Sequence, residues 1–375
     1  MKKHYFLGTA AGFDKAWRIK MRKAHGTHQD LLDLYGYLHQ EYDGDQLVIT
    51  RNGRSAITAG LEYYLKTFLG RKNGEIIING FTCYAVVQGV KAAGYTPVYA
   101  DIDKDTLNFT VETLEKVVTP KTQAVIVQNT LGNMVDIVAI EKFCKKHNLL
   151  LIEDTAHCVG RFYPDGREAG KVARLVMFSF GKEKSIDVIN GGAVVFRDHK
   201  IFLTPVPQGD PPQGEEFRAR IYPTIGAVYR ALSYVKLNGI FMRLMLKIGW
   251  VTKSADAEID YNKARLSDFQ AKLALLKLKS KHKLREKPLR EFYLVDNREA
   301  VLKQLRKAGY FFDGFWYEKP VSPERYYKKV HFDEKKCPVA TEVSKRIVNL
   351  PSYYTEKELA PARKIIKEHL WTGEK

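Results

Sequence analysis

Short apolar runs recur through the first two hundred residues, each closed by polar residues or glycine and followed by a stretch with helical spacing. Leu47–Thr50, Glu75–Asn79, Pro97–Ala100, Ala124–Val127, Leu149–Ile152, Leu175–Phe180 and Ala193–Phe196 have the length and composition of buried strands. Helical patterns lie between many of them, as at Ser55–Leu69 and Ile137–His147, and another precedes them at Gln29–Tyr42. Strand and helix repeat at the spacing of βαβ units, which predicts an α/β fold with a mostly parallel central sheet. Ligands of such sheets lie at the carboxyl ends of the strands. Three successive runs end there in polar groups: Gln128 and Asn129, then Glu153 and Asp154, then Ser179 with the loop Gly181-Lys182-Glu183-Lys184.

After Phe196 the pattern changes. Pro205, Pro207, Pro211 and Pro212 mark a loop. From Phe217 to Ala255 there is no acidic residue, while Arg218, Arg220, Arg230, Lys236, Arg243, Lys247 and Lys253 alternate with apolar and aromatic side chains. Lys236, Arg243 and Lys247 share one helical face. Such a basic amphipathic segment can lie on an anionic membrane, or it can be an insertion packed on its own domain or on a dimer partner. Beyond it, helical patterns at Arg298–Ala308 and Lys357–His369 read as an α+β unit. The predicted organisation is a large α/β domain over residues 1–250, with the basic insertion at about 205–255, and a smaller C-terminal domain over 251–375.

The chemistry concentrates around the strand ends. Gly53-Arg54-Ser55 opens a helix, a place suited to a phosphate because free N–H groups and the positive dipole end meet there, although an ordinary capped helix start has the same look. A buried Asp, a reachable Lys and the Gly191-Gly192 pair are what pyridoxal phosphate (PLP) requires: the Lys forms a Schiff base, and the Asp keeps the pyridine nitrogen protonated.

The order Asp154-Thr155-Ala156-His157, then Phe178-Ser179-Phe180 with Lys184 four residues on, then Gly191-Gly192-Ala193 resembles the DegT/DnrJ/EryC1/StrS sugar aminotransferases of the fold-type I PLP enzymes. The resemblance implies that the Schiff-base lysine is Lys184 rather than Lys182, that Asp154 pairs with the pyridinium, and that His157 lies near the phenolic oxygen of the cofactor. It places Gly53, Arg54, Ser55 and Ser179 around the phosphate, with Arg54 where the family carries Gly or Thr. The ring-stacking aromatic of the family falls at Cys83, so either Tyr84, one place on, covers the ring, or Cys83 packs there and a different aromatic helps. Asn129 stands for a family His, and Asn262, offset by one extra residue before Arg265, for a cross-subunit Asn. The implied activity moves an amino group from an amino acid, glutamate, to a keto sugar linked to a nucleotide, in glycan or cell-surface polysaccharide synthesis, with a homodimer as the working form. A catalytically altered PLP-binding relative acting as regulator or scaffold is the alternative.

Composition adds the sign of the partners. The 375 residues carry 61 Lys plus Arg against 43 Asp plus Glu, a net charge of +18, which favours anionic substrates or surfaces. No nucleic-acid motif accompanies it. The four cysteines, Cys83, Cys144, Cys158 and Cys337, are scattered, which argues against a metal site or a disulfide framework and suits a reducing cytosol. Neither a signal peptide nor a membrane span is expected, so the protein is placed in the cytoplasm, possible contact being with the inner membrane face.

Overall fold

The computed structural model describes residues 5–6, 15–198, 209–252, 259, 264–312 and 316–373. Asn262, Pro205, Pro207, Lys253 and Ala255, all singled out above, lie outside the described residues. The helix read near Gln29 is α1 (His28–Glu41), capped by Thr27 and Asp30 in a reciprocal box.

Seven strands form the central sheet: β1 (Gln46–Thr50), β2 (Glu75–Asn79), β3 (Thr96–Ala100), β4 (Thr122–Val127), β5 (Leu150–Asp154), β6 (Leu175–Ser179) and β7 (Gly192–Phe196). Their spatial order is β1-β7-β6-β5-β4-β2-β3. All neighbours run parallel except β7, which is antiparallel to both β1 and β6. The connection from β6 to β7 is therefore a return loop at the carboxyl end of β6. That loop, Phe180 to Gly191, carries both candidate lysines, so chain direction brings them to the sheet edge where Asp154 and Ser179 end their strands.

Both faces of the sheet are covered, as near-continuous apolar strands require. Ile76, Ile78, Ile126 and Met177 face a core shared with α2 (Gly53–Leu61) and α3 (Tyr84–Ala92). Ile77, Val125 and Val127 face the opposite side, with Phe143 and Cys144 of α4 (Ile137–Lys146). Past the central strands, α5 (Glu215–Ser233) and α6 (Asn238–Lys247) form a helical pair, so the basic stretch read as one amphipathic segment is broken at Tyr234–Leu237. Lys236, at φ 59, turns the chain there.

The helix α7 (Asp268–Leu278) packs Phe269, Leu273 and Leu278 into one core with Leu34 and Leu38 of α1 and with Val176 and Phe178 of β6. Packing on the central sheet thus continues past residue 250. A separate core follows, built on the antiparallel pair β8 (Arg290–Leu294) and β9 (Ile347–Pro351). There Val301 and Leu305 of α8 (Arg298–Lys307) meet Leu359 and Ile366 of α10 (Glu356–Lys367), with α9 (Pro338–Arg346) leading into β9. Val321–Ser322 pairs in parallel with Thr82–Cys83, tying this part of the chain to the end of β2.

Candidate active site

A cavity of about 350 Å³ opens at the carboxyl ends of β5 and β6, and its walls come from five separate parts of the chain. Asn52, Gly53 and Arg54 contribute the N-terminus of α2. The Asn52 side chain accepts the Ser55 N–H at 2.9 Å, which holds the first turn in place. Gly53 is required by close approach: a Cβ there would lie 2.7 Å from the Cβ of Ser179 and 2.8 Å from its Oγ. Gly192 has the same role across β7, since its Cβ would meet the Asn52 carbonyl oxygen at 2.7 Å. Arg54 is buried and donates to Gln88 Oε1 at 2.9 Å from the cavity wall.

Asp154 ends β5 inside the cavity, with Oδ1 accepting the Ala156 N–H at 3.0 Å. Burial raises its carboxyl above the ordinary value, the charge of Lys184 opposing this in part. Lys184 Nζ lies 3.0 Å from His157 Nε2. The Leu131 N–H donates to His157 Nδ1 at 3.2 Å, so the ring hydrogen of the neutral imidazole belongs on Nε2. Burial, then the charges of Lys184 and Arg290, hold His157 well below its ordinary pKa, and hence neutral. Lys182 lines the same cavity, but its Nζ lies over the Tyr222 ring at 4.1 Å, and burial lowers its pKa to about 8 against the pull of Asp187 and Glu183. The loop between the lysines is shaped by Asp187, whose carboxylate accepts the Glu183 and Ile189 N–H groups.

The far wall comes from the C-terminal part of the chain. Trp316 lies 5.0 Å from the His157 ring and 4.7 Å from Lys184 Nζ, and Tyr317 stacks on it at 5.6 Å. Tyr317 also packs edge-on against Phe81, and its buried hydroxyl has no hydrogen-bond partner among the described residues. Arg290 pairs with Glu183 at 3.3 Å and donates to Asn349 at 3.0 Å. Asn349 in turn donates to the Trp316 carbonyl, which fastens the aromatic wall to β9.

Gly53, Arg54, Asp154, His157, Ser179 and Lys184 thus converge. Three other expected residues do not. Tyr84 begins α3 with its ring stacked on Tyr326 at 4.6 Å, outside the cavity, while Cys83, still extended and capping the helix, faces in. Asn129 sits at φ 51 with its side chain bound to the Val135 N–H and the Tyr163 hydroxyl, a structural turn behind the site. Ser55 is fully buried one turn position beyond the cavity wall. Sequence reading missed Asn52, Trp316, Tyr317 and Arg290; only Asn52, a helix cap beside Gly53, had a local signal.

These groups fit pyridoxal phosphate. A helix N-terminus with Ser179 and Arg54 suits a phosphate, the desolvated Asp154 suits the countercharge that a pyridinium brings, and Tyr317 lines the same space. The model of the DegT/DnrJ/EryC1/StrS aminotransferase family matches residues 38–204. Among solved structures, DesV of S. venezuelae in complex with a ketimine intermediate aligns with a TM-score of 0.68 at 18% identity, over 97% of this chain and 98% of that one. Spr1654 of Streptococcus pneumoniae, described as a candidate sugar aminotransferase and solved in its PLP form, gives 0.66 at 17% over 97% of both chains. A DegT DnrJ EryC1 StrS aminotransferase from Brucella abortus gives 0.62 at 18%, over 94% of this chain and 93% of that one. At these identities the likeness speaks for the fold, and the fold is that of fold-type I PLP enzymes. Residues 38–204, the stretch that holds the helix N-terminus, Asp154, His157 and the lysine loop, thus match the DegT/DnrJ/EryC1/StrS aminotransferase family.

Proposed function

We propose that this aminotransferase moves an amino group from glutamate to a keto sugar carried on a nucleotide, in the synthesis of a glycan or surface polysaccharide. The observation that carries the reading is the contact of Lys184 with the neutral His157 at 3.0 Å, Lys184 itself lining a cavity with Asp154 and a helix N-terminus. Pyridoxal phosphate, when bound, supplies the electron sink through which an amino group passes between two carbon skeletons. Gly53, Arg54 and Ser179 hold the phosphate. Asp154 keeps the ring nitrogen protonated. Lys184 would hold the cofactor covalently and would also be the base and acid that moves the proton, because its nitrogen lies beside the place where the reacting carbon would sit. His157 orients the Lys184 nitrogen from one side, and Trp316 shields it on the C-terminal side.

The surplus of positive charge supports a substrate bearing a diphosphate. A homodimer in the cytoplasm belongs to the same proposal, as does division into a large and a small unit, with the packing of α7 favouring a junction near Lys287 over residue 250. Borohydride treatment in the presence of PLP, followed by peptide mass spectrometry, tests the core of it. The adduct is expected on Lys184, kept in Lys182→Arg and absent in Lys184→Arg, since a guanidinium is not a nucleophile at neutral pH. An adduct on Lys182 instead would put the lysine register wrong by two residues. Glutamate should then convert the bound cofactor, and a panel of keto-sugar nucleotides should reveal the acceptor.

A further inference from the structure

The α5–α6 pair carries a surface that the transamination site does not use. Half of the exposed large apolar side chains among the described residues fall between Phe217 and Trp250. They concentrate at the tip and along α6: Tyr234 is 58% exposed, Val235 61%, Ile240 59% and Leu244 51%. A ten-residue helix with one buried side chain, Met245, would be a poor choice for filling a core. Ile240 and Leu244 stand one turn apart, continued by Ile248 beyond the helix end. Arg243 and Lys247 stand one turn apart along the border of that stripe, with Lys236 at the preceding turn. All three cations are exposed and make no ion pair among the described residues, and no acidic residue lies between Phe217 and Ala255 to neutralise them. Trp250 and Tyr234, both exposed, add the amphipathic aromatic groups that favour a water–hydrocarbon boundary. No helix among the described residues is long and apolar enough to cross a membrane.

We propose that this tip is a docking surface for an anionic lipid bilayer, α6 lying in the plane of the interface with Ile240 and Leu244 in the acyl boundary and Lys236, Arg243 and Lys247 against the headgroups. A patch of one charge sign bordering an apolar stripe is complementary to a negatively charged, apolar-cored surface. A second copy of the chain would bring the same cations face to face across a twofold axis, which disfavours it as the occupant.

The test is flotation of the full-length protein, loaded with PLP, on vesicles of phosphatidylcholine with and without phosphatidylglycerol, at low and moderate salt. Binding to the anionic vesicles, weakened by salt and by omission of phosphatidylglycerol, is the expected result. Replacing Lys236, Arg243 and Lys247 together by Gln should weaken it on the order of 100-fold, from about 1 kcal/mol for each charge near the surface. Ile240→Ser with Leu244→Ser should also weaken it, while both variants keep the cofactor spectrum and the glutamate half-reaction of the parent. Sedimentation of the same variants guards the alternative occupant. Absence of binding at low salt, binding unchanged by the triple replacement, or dissociation of an oligomer by the Ile240/Leu244 pair would overturn the proposal.

Discussion

Replacing Gly53 by Ala perturbs the phosphate end of the cavity through a single methyl group. The new Cβ would lie 2.7 Å from Ser179 Cβ, whereas ordinary carbon contacts begin near 3.4 Å, so the first turn of α2 and the end of β6 must separate by roughly 0.7 Å. Overpacking of this kind costs about 1–3 kcal/mol in stability. The larger effect falls on the cofactor, because the same movement draws the α2 N–H groups and Ser179 Oγ apart around one anion. Losing one charge-assisted hydrogen bond, about 1.5–3 kcal/mol, weakens PLP binding by roughly 10- to 100-fold. The assay is titration of apoprotein with PLP, followed by absorbance, alongside urea unfolding of the apoprotein. Ser179→Gly removes both clashing atoms, so the Gly53→Ala/Ser179→Gly protein should recover most of the lost stability but not the affinity. Wild-type affinity in Gly53→Ala, or no recovery of stability in the double variant, would refute the reasoning.

Arg290→Met should destabilise the apoprotein by about 1.5–3 kcal/mol in urea unfolding, because it removes both the ion pair with Glu183 and the hydrogen bond to Asn349; a change below ~1 kcal/mol would show that these links carry little stability. His157, held neutral in the fold, leaves the unfolded chain to bind a proton near pH 6.5 that the native state does not. Stability should therefore fall as pH drops below that value, by up to about 1.4 kcal/mol per pH unit from this group. Raised carboxyls such as Asp154 and Asp187 act in the opposite sense, so the measurement is the difference from His157→Gln, whose stability profile between pH 7.5 and 5.5 should be flatter by about one proton. Equal slopes would mean that His157 is charged in the fold.

The sheet and the polar strand ends were legible in the chain because they are local. Apolar runs of strand length recur with helices between them, and a strand end is visible wherever such a run meets Asp154 or Ser179. The same locality covers the Lys184 spacing, the helix start at Gly53 and the clustering of positive charge after Phe217. Direction and distance were not local. Nothing in Gly192–Phe196 states that it runs antiparallel, yet that reversal puts the lysine loop over β5. Cys83 and Tyr84 differ by one position, and only the onset of α3, which swings Tyr84 onto Tyr326, settles which side chain faces the cavity. Asn129 looked like a site residue at a strand end, but a left-handed turn and the Val135 N–H claim it. Trp316, Tyr317 and Arg290 lie more than a hundred residues from Lys184 and reach the site through the packing of Tyr317 on Phe81 and the Arg290–Glu183 and Asn349–Trp316 links. Hydrophobic periodicity reports which face of an element is buried, whereas the partner of that face is chosen by how distant elements close around one another, and that information exists only in the folded chain.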